Sequence, residues 1–235
     1  MEPGLSVGQW LFEHLNEHYV IEREPWATDR AARVLARLDA VRPAGRRLSV
    51  VIPWLRAVTA FTAPGPYIFF SRSLYQLCPD DETSAFVIAH EMAHHDLGHL
   101  RTFPPWLGRL ARARGVDLPF LVFRAVERRL YGPEMECQAD EHALSLCLRA
   151  GYDGRRCLRF FGILENYLLN MKDEAAVVGP DPDSDEELSP DAPFMTKARI
   201  WAWQRAYGYL PVRDRRQRLE HYLYRVSTAD GVRPN

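Results

Sequence analysis

Ala89-His90-Glu91-Met92-Ala93-His94-His95 is the most informative segment of this sequence. It continues the apolar turn Phe86-Val87-Ile88-Ala89, so we expect a buried helix here. On a helix, a spacing of four residues places His90 and His94 on one face. Two imidazoles on one face can bind a single zinc ion at about 2.0–2.1 Å each. The segment therefore predicts a metal-binding helix.

Glu91 gives this helix a second chemical property, because it directly follows the first histidine. Zinc lowers the pKa of a bound water molecule to about 7, and a neighbouring carboxylate can accept the proton. His-Glu-x-x-His is the pattern that zinc peptidases use for this chemistry. The alternative interpretation is an exposed helical turn with two solvated histidines. The apolar residues before the motif argue against it, because buried His and Glu side chains need partners.

A third metal ligand is expected further along the chain, because catalytic zinc sites use three protein ligands and leave one position for water. Glu136 is the candidate, in the segment Glu136-Cys137-Gln138-Ala139-Asp140. Asp140 lies four residues later on the same helix face, where it can accept the N–H of a ligand histidine. Glu134 is a rival ligand, but it lacks an acid four residues later. Cys137 points about 100° away from Glu136, which predicts a packed thiol.

The two motifs together resemble those of a known family. HExxH followed by ExxxD is similar to the gluzincin metallopeptidases. The segment from Pro64 to Leu74 narrows the resemblance to the HtpX heat-shock protease and CAAX prenyl endopeptidase family. The resemblance extends over about residues 28–205. It implies a zincin-like fold, one zinc ion per chain, and a protein or peptide substrate.

The resemblance also implies substrate-binding and transition-state roles. An edge strand is expected to bind the substrate in extended form, and we assign this role to Val58-Thr59-Ala60-Phe61-Thr62. The alternative is that these residues only pack on the zinc helix. Relatives carry a His-Pro pair followed by an arginine, and the histidine is linked to stabilising the tetrahedral intermediate. Arg199 matches the arginine, but Asp191-Ala192-Pro193 replaces the His-Pro pair, so Arg199, Tyr131 and His142 are all candidate stabilisers.

Four further histidines have no metal-binding role in this interpretation. His99 lies five residues after His94, so we expect it to face away from the metal. His95 and His99 are predicted to be packing or surface residues. His14 and His18 also lie four residues apart, but no glutamate follows His14, and we expect both on the surface.

The composition excludes several other classes of protein. The chain has 235 residues, of which 47% are hydrophobic and 26% charged, and its net charge is −1. This balance predicts a globular protein with no general affinity for nucleic acid or membranes. No apolar run reaches the roughly 18–20 residues of a membrane-spanning helix, and no basic and apolar leader follows Met1. We therefore expect a cytoplasmic protein whose four cysteines form no disulfides.

The remaining pattern predicts a small sheet and further helices. Short strands rich in β-branched and aromatic residues are expected at 48–52, 58–62 and 67–70, beside the zinc helix. A helix is expected to begin at a cap formed by Thr28 or Asp29. The predicted fold class is therefore α+β and helix-rich.

We expect one metallopeptidase domain over residues 1–235, with four distinct segments. The segment 101–130 is basic and is predicted to form a lid or helical hairpin, or alternatively to contact a membrane surface or a partner. The other three are an N-terminal helical extension (1–26), an acidic flexible loop (173–191), and a C-terminal helix and tail (211–235).

The function predicted from sequence is zinc-dependent endopeptidase activity, with Glu91 as the general base. One alternative is a latent or non-catalytic zinc-containing module that binds proteins or acts as a chaperone. The intact Glu91 argues against it, because a purely structural zinc site needs no general base. A zinc hydrolase that acts on a non-peptide amide is a second alternative that these residues do not separate from a peptidase.

Overall fold

The computed structural model describes residues 7–42, 47–103, 131–174 and 212–229. Within these residues, the predicted helix-rich α+β fold with a small sheet is confirmed. The elements in chain order are α1 (Val7–His18), α2 (Pro25–Asp39), β1 (Ser49–Val51), β2 (Ala60–Thr62), β3 (Tyr67–Phe70), α3 (Arg72–Leu77), α4 (Asp81–Asp96), a 3-10 helix (His99–Thr102), α5 (Pro133–Arg149), α6 (Gly154–Glu174) and α7 (Val212–Ala229).

The sheet has three strands in the order β1-β3-β2. β1 runs parallel to β3, and β2 runs antiparallel to β3 with Phe61 opposite Phe69. β2 therefore lies at an edge of the sheet. It is shorter than the predicted 58–62, because the chain leaves the sheet at Thr59, whose backbone N–H donates to the Ser71 hydroxyl at 3.1 Å.

Helix α4, which carries the HExxH motif, is the central element of the core, and most of its sixteen residues are buried. Helices α2, α5 and α6 pack around it, and the sheet packs on it through β2 and β3. The carboxylate of Asp80 caps its N-terminus by accepting the backbone N–H of Thr83 at 3.0 Å. The apolar turn Phe86-Val87-Ile88-Ala89 is buried, as predicted.

The central strand β3 is buried on both faces, because alternate residues of a strand point in opposite directions. Ile68 and Phe70 contribute to the core around α4. Phe69 contributes to a second apolar cluster, which includes Leu11 and Leu15 of α1. The sheet therefore lies between α1 and α4, and this packing holds the edge strand β2 next to the HExxH helix.

The N-terminus of α2 differs from the prediction. Glu24 is the N-cap residue and Pro25 is the first helical residue, so the expected cap at Thr28 or Asp29 is wrong. Proline is favoured at the first helical position because the N–H that it lacks would have no partner within the helix. The four cysteines are buried free thiols, and among them Cys137 is packed as predicted.

Several predicted segments lie outside the described residues. They include most of the basic segment (104–130), the acidic segment from residue 175 to 191, and Arg199. Among the helices in the described ranges, none combines the length and the apolar content needed to cross a membrane.

Candidate metal centre

Helices α4 and α5 bring three potential metal ligands to one point. His90 Nε2 lies 3.2 Å from His94 Nε2. Glu136 places Oε2 at 3.5 Å from His90 Nε2 and Oε1 at 3.6 Å from His94 Nε2. The two histidines are one turn apart on α4, and Glu136 lies in the first turn of α5. The three predicted ligands therefore form a group that can hold a metal ion.

The geometry of this group fits a tetrahedral zinc site. Zinc–ligand bonds of about 2.0–2.1 Å imply ligand atoms separated by about 3.4 Å. The shortest contacts in the group are close to this value: 3.2 Å between the two Nε2 atoms, and 3.5 and 3.6 Å from these atoms to the two different oxygens of Glu136. With one oxygen taken from Glu136, all three donor atoms lie within 4.8 Å of one another. His94 and Glu136 are buried. Two imidazoles and one carboxylate are also the ligand set of a zinc site that keeps a fourth position open.

The electrostatics of the two histidines differ when no metal is bound. Burial lowers the pKa of His90, but the hydrogen bonds that it donates to Asp140 and Glu136, together with the charges of these carboxylates, outweigh burial and raise this pKa to about 10. Burial and the neighbouring His90 charge lower the pKa of His94 to about 3. At neutral pH the metal-free site therefore holds a protonated His90 beside a neutral His94.

The two acids of the ExxxD motif remain ionised because cations surround them. Burial raises the pKa of Glu136, but His90 and then Arg215 outweigh it and lower this pKa to about 2. Burial also raises the pKa of Asp140, but Arg215 and then His90 outweigh it, again giving about 2. Arg215 belongs to α7, and its guanidinium group contacts Asp140 with two nitrogens at 2.7 Å.

Each candidate ligand histidine has a polar neighbour at its Nδ1 atom. His90 Nδ1 lies 3.0 Å from Asp140 Oδ1, which is where the sequence places this carboxylate. His94 Nδ1 lies 3.1 Å from Nδ1 of His99, which is buried. His99 is therefore a buried packing residue outside the ligand group, but it points towards His94 and not away from the site as expected. Gly98 has a φ of 74°, which ends α4 and turns the chain so that His99 returns towards His94.

His95 connects the HExxH helix to the edge strand of the sheet. Its Nε2 lies 2.6 Å from Thr62 Oγ1, and the Thr62 hydroxyl donates to the carbonyl oxygen of Tyr67 at 2.9 Å. Because the hydroxyl hydrogen is used in that bond, His95 Nε2 is the donor to Thr62. Thr62 is fully buried, so this link holds β2 against α4 next to the candidate ligands.

The remaining predicted site residues are placed as follows. Glu91 is 6% exposed and lies on α4 directly after the candidate ligand His90. Tyr131 is buried, and its ring centroid lies 4.2 Å from that of the candidate ligand His94. His142 Nε2 lies 3.3 Å from Asp96 Oδ2, and the structure gives it no contact with the three ligands. Arg199 lies outside the described residues.

Two residues at this centre were missed by sequence reasoning. Arg215 lies in a helix that is separated from the ExxxD motif by many residues, and no local pattern distinguishes it from the arginines beside it. The prediction for His99 assumes an ideal helix, whereas α4 ends before this residue. The glycine at position 98 is the signal that would have found it, because Gly commonly ends helices in a left-handed conformation.

The fold and the site together define a class of protein. A helix-rich α+β fold whose HExxH helix meets a glutamate of a second helix is typical of zinc metallopeptidases. The chain belongs to Peptidase family M48, whose family model matches residues 23–195. This assignment confirms the family resemblance seen in the sequence and implies a protease. A search of curated proteins finds no significant match.

Proposed function

We propose that this protein is a zinc-dependent endopeptidase that hydrolyses peptide bonds in protein or peptide substrates. The observation that carries the proposal is the convergence of His90, His94 and Glu136, each of which offers one donor atom within 4.8 Å of the other two. Glu91 is buried on the same helix as the two histidines. A structural zinc site would have no use for this fourth side chain.

The residues have separate roles in the proposed reaction. Zinc held by His90, His94 and Glu136 would polarise the substrate carbonyl and acidify a water molecule. Glu91 accepts a proton from that water as the water oxygen bonds to the carbonyl carbon. Glu91 then delivers the proton to the leaving nitrogen as the C–N bond breaks. Asp140, 3.0 Å from His90 Nδ1, fixes the orientation of that imidazole.

The proposed substrate-binding element is the edge strand β2. A substrate in extended form would add a strand to this edge through main-chain hydrogen bonds. Two observations support the assignment: β2 ends the strand order of the sheet, and Thr62 of β2 contacts His95, the neighbour of a candidate ligand. Val58 and Thr59 of the predicted segment precede the strand.

The experiment that tests this function compares the wild type with Glu91→Gln. Zinc content is measured by elemental analysis, and cleavage is measured with casein and with a fluorogenic peptide. We expect one zinc per chain in both proteins and a loss of cleavage of about 10²–10⁴-fold in the variant, the typical contribution of a general base. The matched control is Glu82→Gln on the same helix, because Glu82 pairs with Arg156 away from the ligands.

Three results would contradict the proposal, and each points to a different error. A wild type that contains zinc but cleaves neither substrate would favour the latent, protein-binding alternative. A wild type that contains no zinc after purification and zinc dialysis would show that the three donors do not form a metal centre. Equal loss of cleavage in Glu91→Gln and Glu82→Gln would remove the specific role of Glu91.

A further inference from the structure

A continuous line of polar groups extends from Nδ1 of His94, the ring nitrogen that faces away from the other candidate ligands, to the exposed surface of α5. His94 Nδ1 lies 3.1 Å from His99 Nδ1. His99 Nε2 lies 3.2 Å from the side-chain oxygen of Gln138. The side-chain nitrogen of Gln138 donates to Glu134 at 3.4 Å. The line thus joins α4, the 3-10 helix and α5, and it does not include the carboxylate of Asp140.

The chemistry of these groups sets the direction of each hydrogen bond, starting from the outer end. The carboxylate of Glu134 can only accept, so the NH₂ group of Gln138 faces it and the Gln138 oxygen faces His99. That oxygen also accepts, so His99 carries its hydrogen on Nε2. In a neutral imidazole the other nitrogen is then an acceptor, and His99 Nδ1 accepts the N–H of His94 Nδ1.

This direction determines which nitrogen of His94 is available for a metal. If Nδ1 carries the hydrogen, the lone pair is on Nε2. Nε2 is the atom that lies 3.2 Å from His90 Nε2 and 3.6 Å from Glu136 Oε1. The polar line therefore selects the tautomer of His94 that a metal at this centre requires.

We propose that His99 is a positioning residue for the zinc ligand His94, and that Gln138 and Glu134 fix the tautomer in which His99 acts. The inference rests on the metal centre of the proposed function. In it, the two ligand histidines are oriented by different groups: His90 by the carboxylate of Asp140, and His94 by a neutral imidazole. His99 contacts His94 and not the reacting atoms.

The competing explanation is that His99 only fills space, since its ring packs edge-on against His94 at 5.1 Å. The two explanations differ in what a substitution must preserve. His99→Leu preserves an apolar side chain but removes the acceptor. His99→Asn loses ring volume but places an amide oxygen near the position of Nδ1. If His99 positions His94, His99→Asn should bind zinc more tightly than His99→Leu. If His99 only fills space, His99→Asn should bind zinc no more tightly than His99→Leu.

The test measures zinc affinity by competition with a chromophoric chelator, together with the visible spectrum of the cobalt-substituted protein. We expect His99→Leu to weaken zinc binding by about 10–100-fold, as other partners of ligand histidines do when they are removed. We expect His99→Asn to remain within about threefold of the wild type and to keep the cobalt spectrum. His18→Leu, at an exposed histidine of α1, is the matched control.

A second pair of variants avoids the buried core. Gln138 is exposed, so Gln138→Leu and Gln138→Glu are not expected to disturb folding. Gln138→Leu removes the acceptor of His99 and should weaken zinc binding several-fold, whereas Gln138→Glu keeps an acceptor and should not. Melting temperatures of the metal-free proteins show whether any loss of affinity reflects unfolding.

Failure of this inference can be distinguished from failure of the proposed function. If the wild type binds zinc and every variant binds it equally well, His99 has no positioning role, whatever the cleavage assay shows. Equal weakening in His99→Leu and His99→Asn would also overturn the inference in favour of packing. If the wild type itself binds no zinc, the proposed function fails, and the inference fails with it.

Discussion

The guanidinium group of Arg215 binds the carboxylate of Asp140 through two parallel contacts, Nε to Oδ2 and a terminal nitrogen to Oδ1, each of 2.7 Å. The same terminal nitrogen lies 3.3 Å from Oε2 of Glu136. Two buried carboxylates therefore share one cation from α7. Bidentate pairing of this kind is strong and directional, and it ties the C-terminal helix to the metal centre.

Loss of this cation should destabilise the fold. We expect Arg215→Met to lower the free energy of unfolding by about 3–5 kcal/mol in the metal-free protein, because it leaves two buried carboxylates with His90 as their remaining cationic partner. Arg215→Lys keeps the positive charge but cannot make two parallel contacts, so its loss of unfolding free energy should be smaller than that of Arg215→Met. Urea unfolding in the presence of EDTA measures both. Arg216→Met is the control, since Arg216 pairs with the half-exposed Glu220, and equal costs for Arg215→Met and Arg216→Met would contradict the prediction.

Zinc binding should release a proton at neutral pH. In the metal-free protein the pKa of His90 is raised to about 10, so its imidazole is protonated at pH 7, whereas a metal ligand must be unprotonated. Zinc affinity should therefore rise about tenfold per pH unit between about pH 6 and 9. Calorimetry in buffers of different ionisation enthalpy counts the protons released. Asp140→Asn removes the main partner that raises this pKa and should reduce the count, while a count of zero in the wild type would contradict the prediction.

Glu22 should contribute to stability in a pH-dependent way. Burial raises its pKa, but the backbone N–H of Glu24, the side chain of Arg72 and the backbone N–H of Arg23 outweigh burial, and the pKa is lowered. Arg72 Nε lies 2.8 Å from Glu22 Oε2. A lowered pKa stabilises the folded state above the ordinary glutamate value of about 4.3, and this stability is lost as the pH falls through the folded-state pKa.

The measurement for Glu22 is the free energy of unfolding of Glu22→Gln and the wild type from pH 7 down to pH 3. We expect the variant to be less stable by about 1–3 kcal/mol at pH 7, and the difference to shrink as the pH falls below about 4. The exposed Glu24→Gln serves as the control. A difference that stays constant over this range would show that the charge of Glu22 is not the cause.

The link between His95 and Thr62 should affect substrate binding more than metal binding. Thr62→Val removes the hydroxyl that contacts His95 at 2.6 Å while keeping the shape of the side chain. If β2 binds the substrate, a displaced strand should raise KM for a peptide about tenfold, a loss of about 1.4 kcal/mol, with zinc affinity unchanged. Thr28→Val is the control, because the Thr28 hydroxyl donates to the Glu24 carbonyl at the start of α2 and away from the sheet. A change in stability without a change in KM would count against β2 as the substrate strand.

Much of the fold was predictable because its signals are local. The apolar turn before His90 and the HExxH spacing identify α4, and the β-branched and aromatic residues of β3 identify the central strand. Glu136 was also predictable, because a helix repeats its face every three to four residues and Asp140 marks that face. In each case the residues that identify the element lie within a few positions of one another in the sequence.

The rest of the site depends on contacts that no local pattern encodes. Arg215 reaches Asp140 only because α7 packs against α5, and the neighbouring residues Arg213, Arg216 and Arg218 look the same in sequence. The contact between His99 and His94 depends on where α4 ends, and helix ends are set by a balance of small energies at a few residues. The start of α2 is hard to predict for a related reason, because Glu24 makes no side-chain cap hydrogen bond whereas Thr28 and Asp29 are typical cap residues.

Gly98 is close to the candidate metal centre in the chain although it carries no donor atom itself. Its φ of 74° is rarely adopted by residues with a side chain, so Gly98→Ala should shift the backbone at this turn and move His99 relative to His94. We therefore expect position 98 to affect the orientation of His94 through the turn that carries His99, while the candidate ligands themselves remain unchanged.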